Sequence, residues 1–138
     1  HLPKSYVQGA AYWLSDRAVI QLSLRFKWAD IFWFSLFHEL GHVLLHLTAR
    51  KPSFLDENEF ASGARSEERE ADRFAAETLI PEERYAELLS RSFASPGVIR
   101  SFARRIGISP GIVVGRLQHD KHLHYSQLLE LKTKFEWR

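Results

Sequence analysis

The chain has 138 residues with 19 Lys and Arg against 17 Asp and Glu, and the resulting charge of +2 leaves no electrostatic footprint for nucleic acid or an acidic membrane. Its length fits one domain, and ten Phe, four Tyr and four Trp can fill a core without crosslinks. Cysteine is absent, which excludes disulfides, thiolate metal sites and cysteine nucleophiles.

No apolar run approaches the length of about 18 residues that a spanning helix needs, and no signal-peptide pattern is visible. Methionine is missing even at position 1, so a processed chain or a cut fragment is expected, with sequence missing upstream.

Residues 10–25 read as paired strands. Tyr12, Trp13 and Leu14 precede a Ser15-Asp16 turn signal, after which Ala18, Ile20, Leu22 and Leu24 alternate with Val19, Gln21, Ser23 and Arg25. Asp30 is the expected N-cap of a helix over Ile31 to Leu47, apolar nearly all round and therefore predicted to be buried. Thr48 to Ser66 has loop chemistry, with Phe54 and Leu55 as a candidate short strand inside it. Ser66 is the expected N-cap of the next helix, with Glu67 and Glu68 in its first turn and Pro81 beyond its end near Ile80. Further helices are predicted over Glu82 to Phe93, Pro96 to Ile106 and Pro110 to Gln118, the last opened by Ser109-Pro110. Tyr125 to Trp137 reads as polar with an aromatic end.

The chemistry concentrates in His38-Glu39-Leu40-Gly41-His42, within the first predicted helix. Histidines at i and i+4 share one helix face, so both imidazoles can grip one ion. Glu39 projects at a neighbouring angle, from which it can take a proton from a water polarised by that ion. Burying two histidines and a glutamate among Phe32, Trp33, Phe34, Leu36, Phe37 and Val43 is costly unless they are paired, which favours a site over satisfied core histidines.

Two histidines leave a tetrahedral ion one protein ligand short. His46 lies roughly 12 Å along the axis from His38 at 1.5 Å per residue, too far to share the ion. In the second helix Ala71, Phe74, Ala75, Thr78 and Leu79 mark the expected buried face. Glu67 and Glu68 flank that face, while Glu70 and Glu77 are expected to point well away. Asp72 falls one turn after Glu68 on the same side, where it can orient a ligand histidine, and this pairing prefers Glu68 as the third ligand.

Phe37-His38-Glu39-Leu40-Gly41-His42-Val43-Leu44-Leu45-His46, followed by Glu68-Arg69-Glu70-Ala71-Asp72-Arg73-Phe74-Ala75-Ala76-Glu77-Thr78-Leu79-Ile80-Pro81, resembles the ImmA/IrrE family of metallopeptidases over about residues 10 to 120. The resemblance implies one zinc ion held by His38, His42 and Glu68, with Glu39 as catalytic base, the gluzincin-like arrangement of HExxH plus a downstream glutamate. It implies an α+β, zincin-like fold, in which a small antiparallel sheet packs on a buried metal-binding helix followed by several helices. The whole of residues 1–138 is then a single zinc metallopeptidase domain with a helical C-terminal part at about 96–138. The family often has asparagine at the position of Asp72, a departure that leaves the ligand assignment standing. Its members are typically bacterial or phage-borne and cytoplasmic, and are frequently fused behind or encoded beside a helix-turn-helix repressor, which several of them cleave. The implied partner is therefore a protein substrate of that kind in a transcriptional or toxin-antitoxin setting, with no membrane. Ile108 to Gln118 looks like the branch with an N-terminal helix-turn-helix domain, so DNA contact is expected only through such a missing domain.

Weaker signals have bland readings. Val98 to Leu117, with Arg100, Arg104, Arg105, Arg116 and Lys121 nearby, resembles a helix-turn-helix, yet comparable helices pack on the peptidase core in the family. His119, His122 and His124 are expected in a polar, partly mobile tail more than at a second metal site or near the cleft. The four tryptophans are expected in the core or an interface. In zincin-type peptidases an edge strand above the metal helix pairs with extended substrate, and Ala18 to Leu24 is expected beside that edge. Tyr12, Tyr85, the C-terminal histidines and several arginines are the candidate oxyanion donors. The leading reading is a zinc-dependent endopeptidase. The alternative is a catalytically silent regulatory module that keeps the metal fold and works by binding DNA or a protein partner.

Overall fold

A computed structural model describes residues 9–23, 27–47 and 57–136, with side chains in the second helix from residue 65 onward. The described part is α+β. A two-stranded antiparallel hairpin, β1 (Gly9–Leu14) and β2 (Arg17–Leu22), precedes five helices: α1 (Ala29–His42), α2 (Glu57–Leu79), α3 (Glu82–Leu89), α4 (Pro96–Ile106) and α5 (Pro110–His119). A single π-helical turn, Val43–Leu47, continues α1, and a 3₁₀ turn, Leu129–Leu131, lies near the C-terminus.

The hairpin register runs from Gly9 opposite Leu22 to Leu14 opposite Arg17, which leaves the predicted Ser15-Asp16 pair as a two-residue loop. Ser15 takes a left-handed φ of 56° there. Both strands lie against α1. Burial along β2 departs from clean alternation, since Val19 and Ile20 are both partly buried and Ala18 is exposed. The closest approach is at Gly9, where a Cβ would lie 3.0 Å from Glu39 Cγ and 2.8 Å from Leu22 Cδ2.

The main core is in the C-terminal half. Ile80, Tyr85, Leu88, Ile99, Phe102, Ala103, Val113, Val114, Leu117, Leu123 and Leu131 form one buried cluster. Local chemistry explains why α4 and α5 start and stop where the sequence predicts. Pro96 and Pro110 open them, Gly107 closes α4 at a left-handed φ of 78°, and the Ser109 hydroxyl accepts from Gly111 N at 3.3 Å.

The helix α1 docks on α2 with the Phe74 side chain seated against the Gly41 backbone. A Cβ on Gly41 would stand 3.0 Å from Phe74 Cδ1, and Ala71 and Ala75, on the same α2 face as Phe74, are fully buried. Thr78, expected on that face, is exposed. The all-round burial predicted for Ile31 to Leu47 also does not hold, because Trp33, Leu44 and Leu45 are exposed.

Several boundaries differ from the sequence reading. The second helix begins at Glu57, so Ser66 lies inside it and not at a cap. Asn58, Ser62 and Gly63 in that added stretch are weak helix formers, but even the cost of Gly63, about 1 kcal/mol, does not outweigh continuation from a helix already nucleated. The Phe54-Leu55 strand lies outside the described residues. The helix α3 ends at Leu89, with Ser90 capping it and its hydroxyl donating to Glu87 O at 2.6 Å.

Asp30 is the second residue of α1, behind an N-cap at Trp28. Its carboxylate is drawn instead to Lys132 Nζ at 3.2 Å, while Ala29 N donates to Thr133 O at 2.8 Å. The C-terminal residues are thus a strap across the start of α1 and not a mobile tail. Phe135 N donates to Lys27 O at 2.6 Å, the Phe32 and Phe135 rings meet edge-on at 5.4 Å, and Leu123 and Leu131 are buried.

Candidate metal centre

The helical repeat puts His38 and His42 one turn apart on α1, facing α2, and the close approach at Gly41 brings Glu68 to them. Glu68 Oε2 lies 3.0 Å from His38 Nε2, and Glu68 Oε1 lies 2.8 Å from His42 Nε2. Both imidazole side chains are 14% exposed, so their nitrogens are largely removed from water while the Glu68 carboxylate reaches in from solvent. One ligand atom from each of the three lies within 4.8 Å of the other two. Two neutral nitrogen lone pairs and one carboxylate oxygen at that spacing are a fitting donor set for a divalent ion in tetrahedral coordination. The sequence-predicted trio is therefore assembled in space.

Glu39 is 7% exposed, and its Oε1 lies 4.0 Å from His38 Nε2, close to the point where the ligand atoms converge. Burial pushes its carboxyl above the ordinary value, His38 opposes this, and the charge of Glu68 adds to it. Asp72 Oδ1 sits 2.7 Å from His38 Nδ1, on the far side of the ring from Glu68. The contact is a close charge pairing and not an aligned hydrogen bond, since the buried His38 Nδ1 has no partner in hydrogen-bond geometry. Burial works against a charged His38, but Asp72, Glu68 and Glu39 together outweigh it and hold the ring's pKa above the ordinary value. Burial dominates at His42 and lowers it, reinforced by His38 and His46 and opposed by Glu68.

One assignment is corrected. Glu70, expected to point well away, brings its Oε2 to 3.2 Å from His46 Nε2. The buried His46 in turn holds its Nδ1 2.9 Å from His42 Nδ1. Sequence spacing holds one signal of this, because His46 follows His42 by four residues on the same strip. The π turn that carries His46 had none.

The three C-terminal histidines do not converge, since His119 meets Asp120, His124 meets Ser126, and the ring of His122 sits 5.7 Å from that of Phe93. His119 does line the cavity beside the metal centre, with its ring 6.1 Å from that of Phe34. Of the tyrosines proposed as oxyanion donors, Tyr85 commits its proton to Asp120 at 2.7 Å, and the exposed Tyr12 hydroxyl lies 3.5 Å from Gln21 Oε1 on the hairpin. Beside the metal cluster, a cavity of ≈ 860 Å³ opens between α1, α2, α3 and α5, with Asp72 in its wall and Ile31, Phe34, Leu79 and Ile80 as apolar lining.

A family model, Peptidase_M78 (IrrE N-terminal-like domain), matches residues 2–118. The chain belongs to this family. Membership points to metallopeptidase-type function and a metal cofactor, and it bears out the family resemblance read from the two motifs. Comparison with curated proteins and with solved structures gave no significant match. Among the described residues, no helix is long and apolar enough to cross a membrane.

Proposed function

We propose that this IrrE-like domain is a zinc-dependent endopeptidase of zincin-like build, with His38, His42 and Glu68 as the metal ligands and Glu39 as the catalytic base. The observation that carries the reading is the position of Glu39. A carboxylate buried beside three convergent ligand atoms is costly to keep there unless its basicity is used. The bound zinc would polarise the scissile carbonyl and acidify the attacking water. Glu39 then accepts the proton of that water and delivers it to the departing amide nitrogen. Asp72 holds the His38 ring toward the ligand position. The hairpin end at Gly9, whose backbone comes close to the Glu39 side chain, offers an edge that suits an extended substrate. The apolar cavity beside Asp72 offers room for substrate side chains.

The substrate proposed is a helix-turn-helix transcriptional repressor encoded beside the enzyme or fused upstream of it, met in the cytoplasm. Direct DNA recognition by α4 and α5 is disfavoured by their packing. A recognition helix reads bases with its N-terminal residues. In α5 that end is covered, since a Cβ on Gly111 would stand 3.0 Å from Lys132 Cα. Of the arginines there, Arg105 pairs with Glu87 and Arg116 with Asp120.

The reading is tested by co-expressing the chain with the neighbouring repressor and weighing the fragments by mass spectrometry. Cleavage that a chelator abolishes and added zinc restores is the expected result. A repressor that stays intact beside zinc-loaded enzyme would favour the silent regulatory module.

A further inference from the structure

We propose that His46 and Glu70 form a hydrogen-bonded relay that fixes the orientation and tautomer of His42, which makes both of them positioning residues for the metal centre. The proposal rests on the reading of His38, His42 and Glu68 as ligands. Two ring nitrogens, His42 Nδ1 and His46 Nδ1, face each other at 2.9 Å, and a single proton must lie between them. If the Nε2 lone pair of His42 serves the ion, the remaining ring proton of His42 is on Nδ1 and is donated to His46. His46 then accepts at Nδ1 and carries its own proton on Nε2, which points at Glu70 Oε2 at 3.2 Å. Every proton in the chain from ion to carboxylate is thereby determined.

Three further observations converge on this role. The His46 side chain is 8% exposed, so water reaches its ring poorly, while Glu70 faces solvent on its outer side. His46 sits in the π turn Val43–Leu47, a widened turn of the kind that recurs at functional sites. His38 has a related arrangement, with the Asp72 carboxylate placed behind its ring as a charge partner. Both ligand histidines are thus backed by a carboxylate of α2, one in direct contact and one through a second imidazole.

His42, His46 and Glu67 also lie close enough to hold an ion of their own. With His42 committed to the first ion, a second ion there would need that ring to ligate through both nitrogens, after loss of its last proton. The relay needs no such loss. The two arrangements differ in stoichiometry, one ion per chain against two.

The direct test is nitrogen-15 NMR of the zinc-loaded chain with labelled histidines, which reports the protonated nitrogen of each ring. The relay requires a proton on His42 Nδ1 and on His46 Nε2, and a proton on His46 Nδ1 would overturn it. Zinc affinity, measured by chelator competition, gives a second readout. His46→Leu is expected to weaken binding about 10–100-fold, and His46→Gln, whose amide oxygen can accept from His42, to recover most of the loss. Glu70→Ala should weaken binding in the wild-type background and add nothing beside His46→Leu. Unchanged affinity in His46→Leu, or a second ion lost only in that variant, would reject the relay while leaving the ligand trio in place. A wild-type chain that binds no zinc would instead reject the trio, and the relay with it.

Discussion

Asp72 Oδ1 lies 2.7 Å from His38 Nδ1, so a carboxylate of α2 backs a ring of α1 whose other nitrogen faces Glu68. A negative charge in that position raises the basicity of the ligand nitrogen and holds the ring in plane. Asp72→Ala is expected to weaken zinc binding about 10–100-fold. Asp72→Asn keeps the size of the side chain but removes the charge, and should lose nearly as much. Equal affinity of Asp72→Ala and the wild type in chelator competition would remove Asp72 from the site.

Glu68 supplies the only carboxylate oxygens placed between both ligand rings among the described residues. Glu68→Ala should therefore empty the site in metal analysis, whereas Glu67→Ala should retain the ion. Full zinc occupancy in Glu68→Ala with loss in Glu67→Ala would move the centre one turn along, to His42 and His46.

The strap at the start of α1 makes a separate stability prediction. Asp30 and Lys132 form a pair whose side chains are 9% and 7% exposed, and Asp30 Oδ1 is buried without a hydrogen bond. Burial raises the Asp30 pKa despite Lys132, so the stability tied to this group is full below the unfolded value and declines as pH rises through the folded one. At neutral pH, Lys132→Met strands a buried charge and should cost about 3–5 kcal/mol in urea denaturation. Adding Asp30→Asn should recover most of that loss. A double variant as unstable as Lys132→Met alone would show that the pair is not the source of the cost.

Asp120 behaves in the opposite sense. Its carboxylate receives Arg116 Nε and the Tyr85 hydroxyl, each at 2.7 Å, and the Arg116 guanidinium lies 4.1 Å from the centre of the Tyr85 ring. Burial alone would raise its pKa, but Arg116, Tyr85 and His119 outweigh burial and lower it. Stability contributed by this group is present above the ordinary carboxylate value of about 3.9 and is lost as pH falls through the lower folded value. The stability gap between wild type and Asp120→Asn should hold steady from neutral pH to about pH 5 and close below pH 4. A gap that widens on acidification would contradict this account.

Elements fixed by local chemistry were legible in the sequence, and those fixed by distant contacts were not. Pro96, Gly107, Ser109 and Pro110 punctuate α4 and α5 wherever they occur, and both helices start at their predicted residues. The spacing of His38, Glu39 and His42 follows from helical geometry, and Asp72 and Glu68 follow from the facing helix. Asp30 instead takes its role from Lys132, about a hundred residues away, and no N-cap preference contains that information. Glu70 meets His46 on a π turn that follows His42, a backbone change with no residue signature here. The start of α2 at Glu57 was hidden because Asp56, Glu57, Asn58 and Gly63 suit a loop on propensity alone.

Glu39→Gln separates metal binding from catalysis most directly. The substitution keeps size and helix propensity, removes no ligand, and relieves a carboxyl that burial already disfavours in its charged form. Zinc occupancy should be nearly unchanged, while cleavage of the co-expressed repressor should fall by ~10²–10⁴-fold, the usual contribution of a positioned acid-base group. Wild-type cleavage with none by zinc-loaded Glu39→Gln is the predicted result. Equal biological activity of the two zinc-loaded forms would contradict the peptidase account and leave the ion as a structural element of a binding protein.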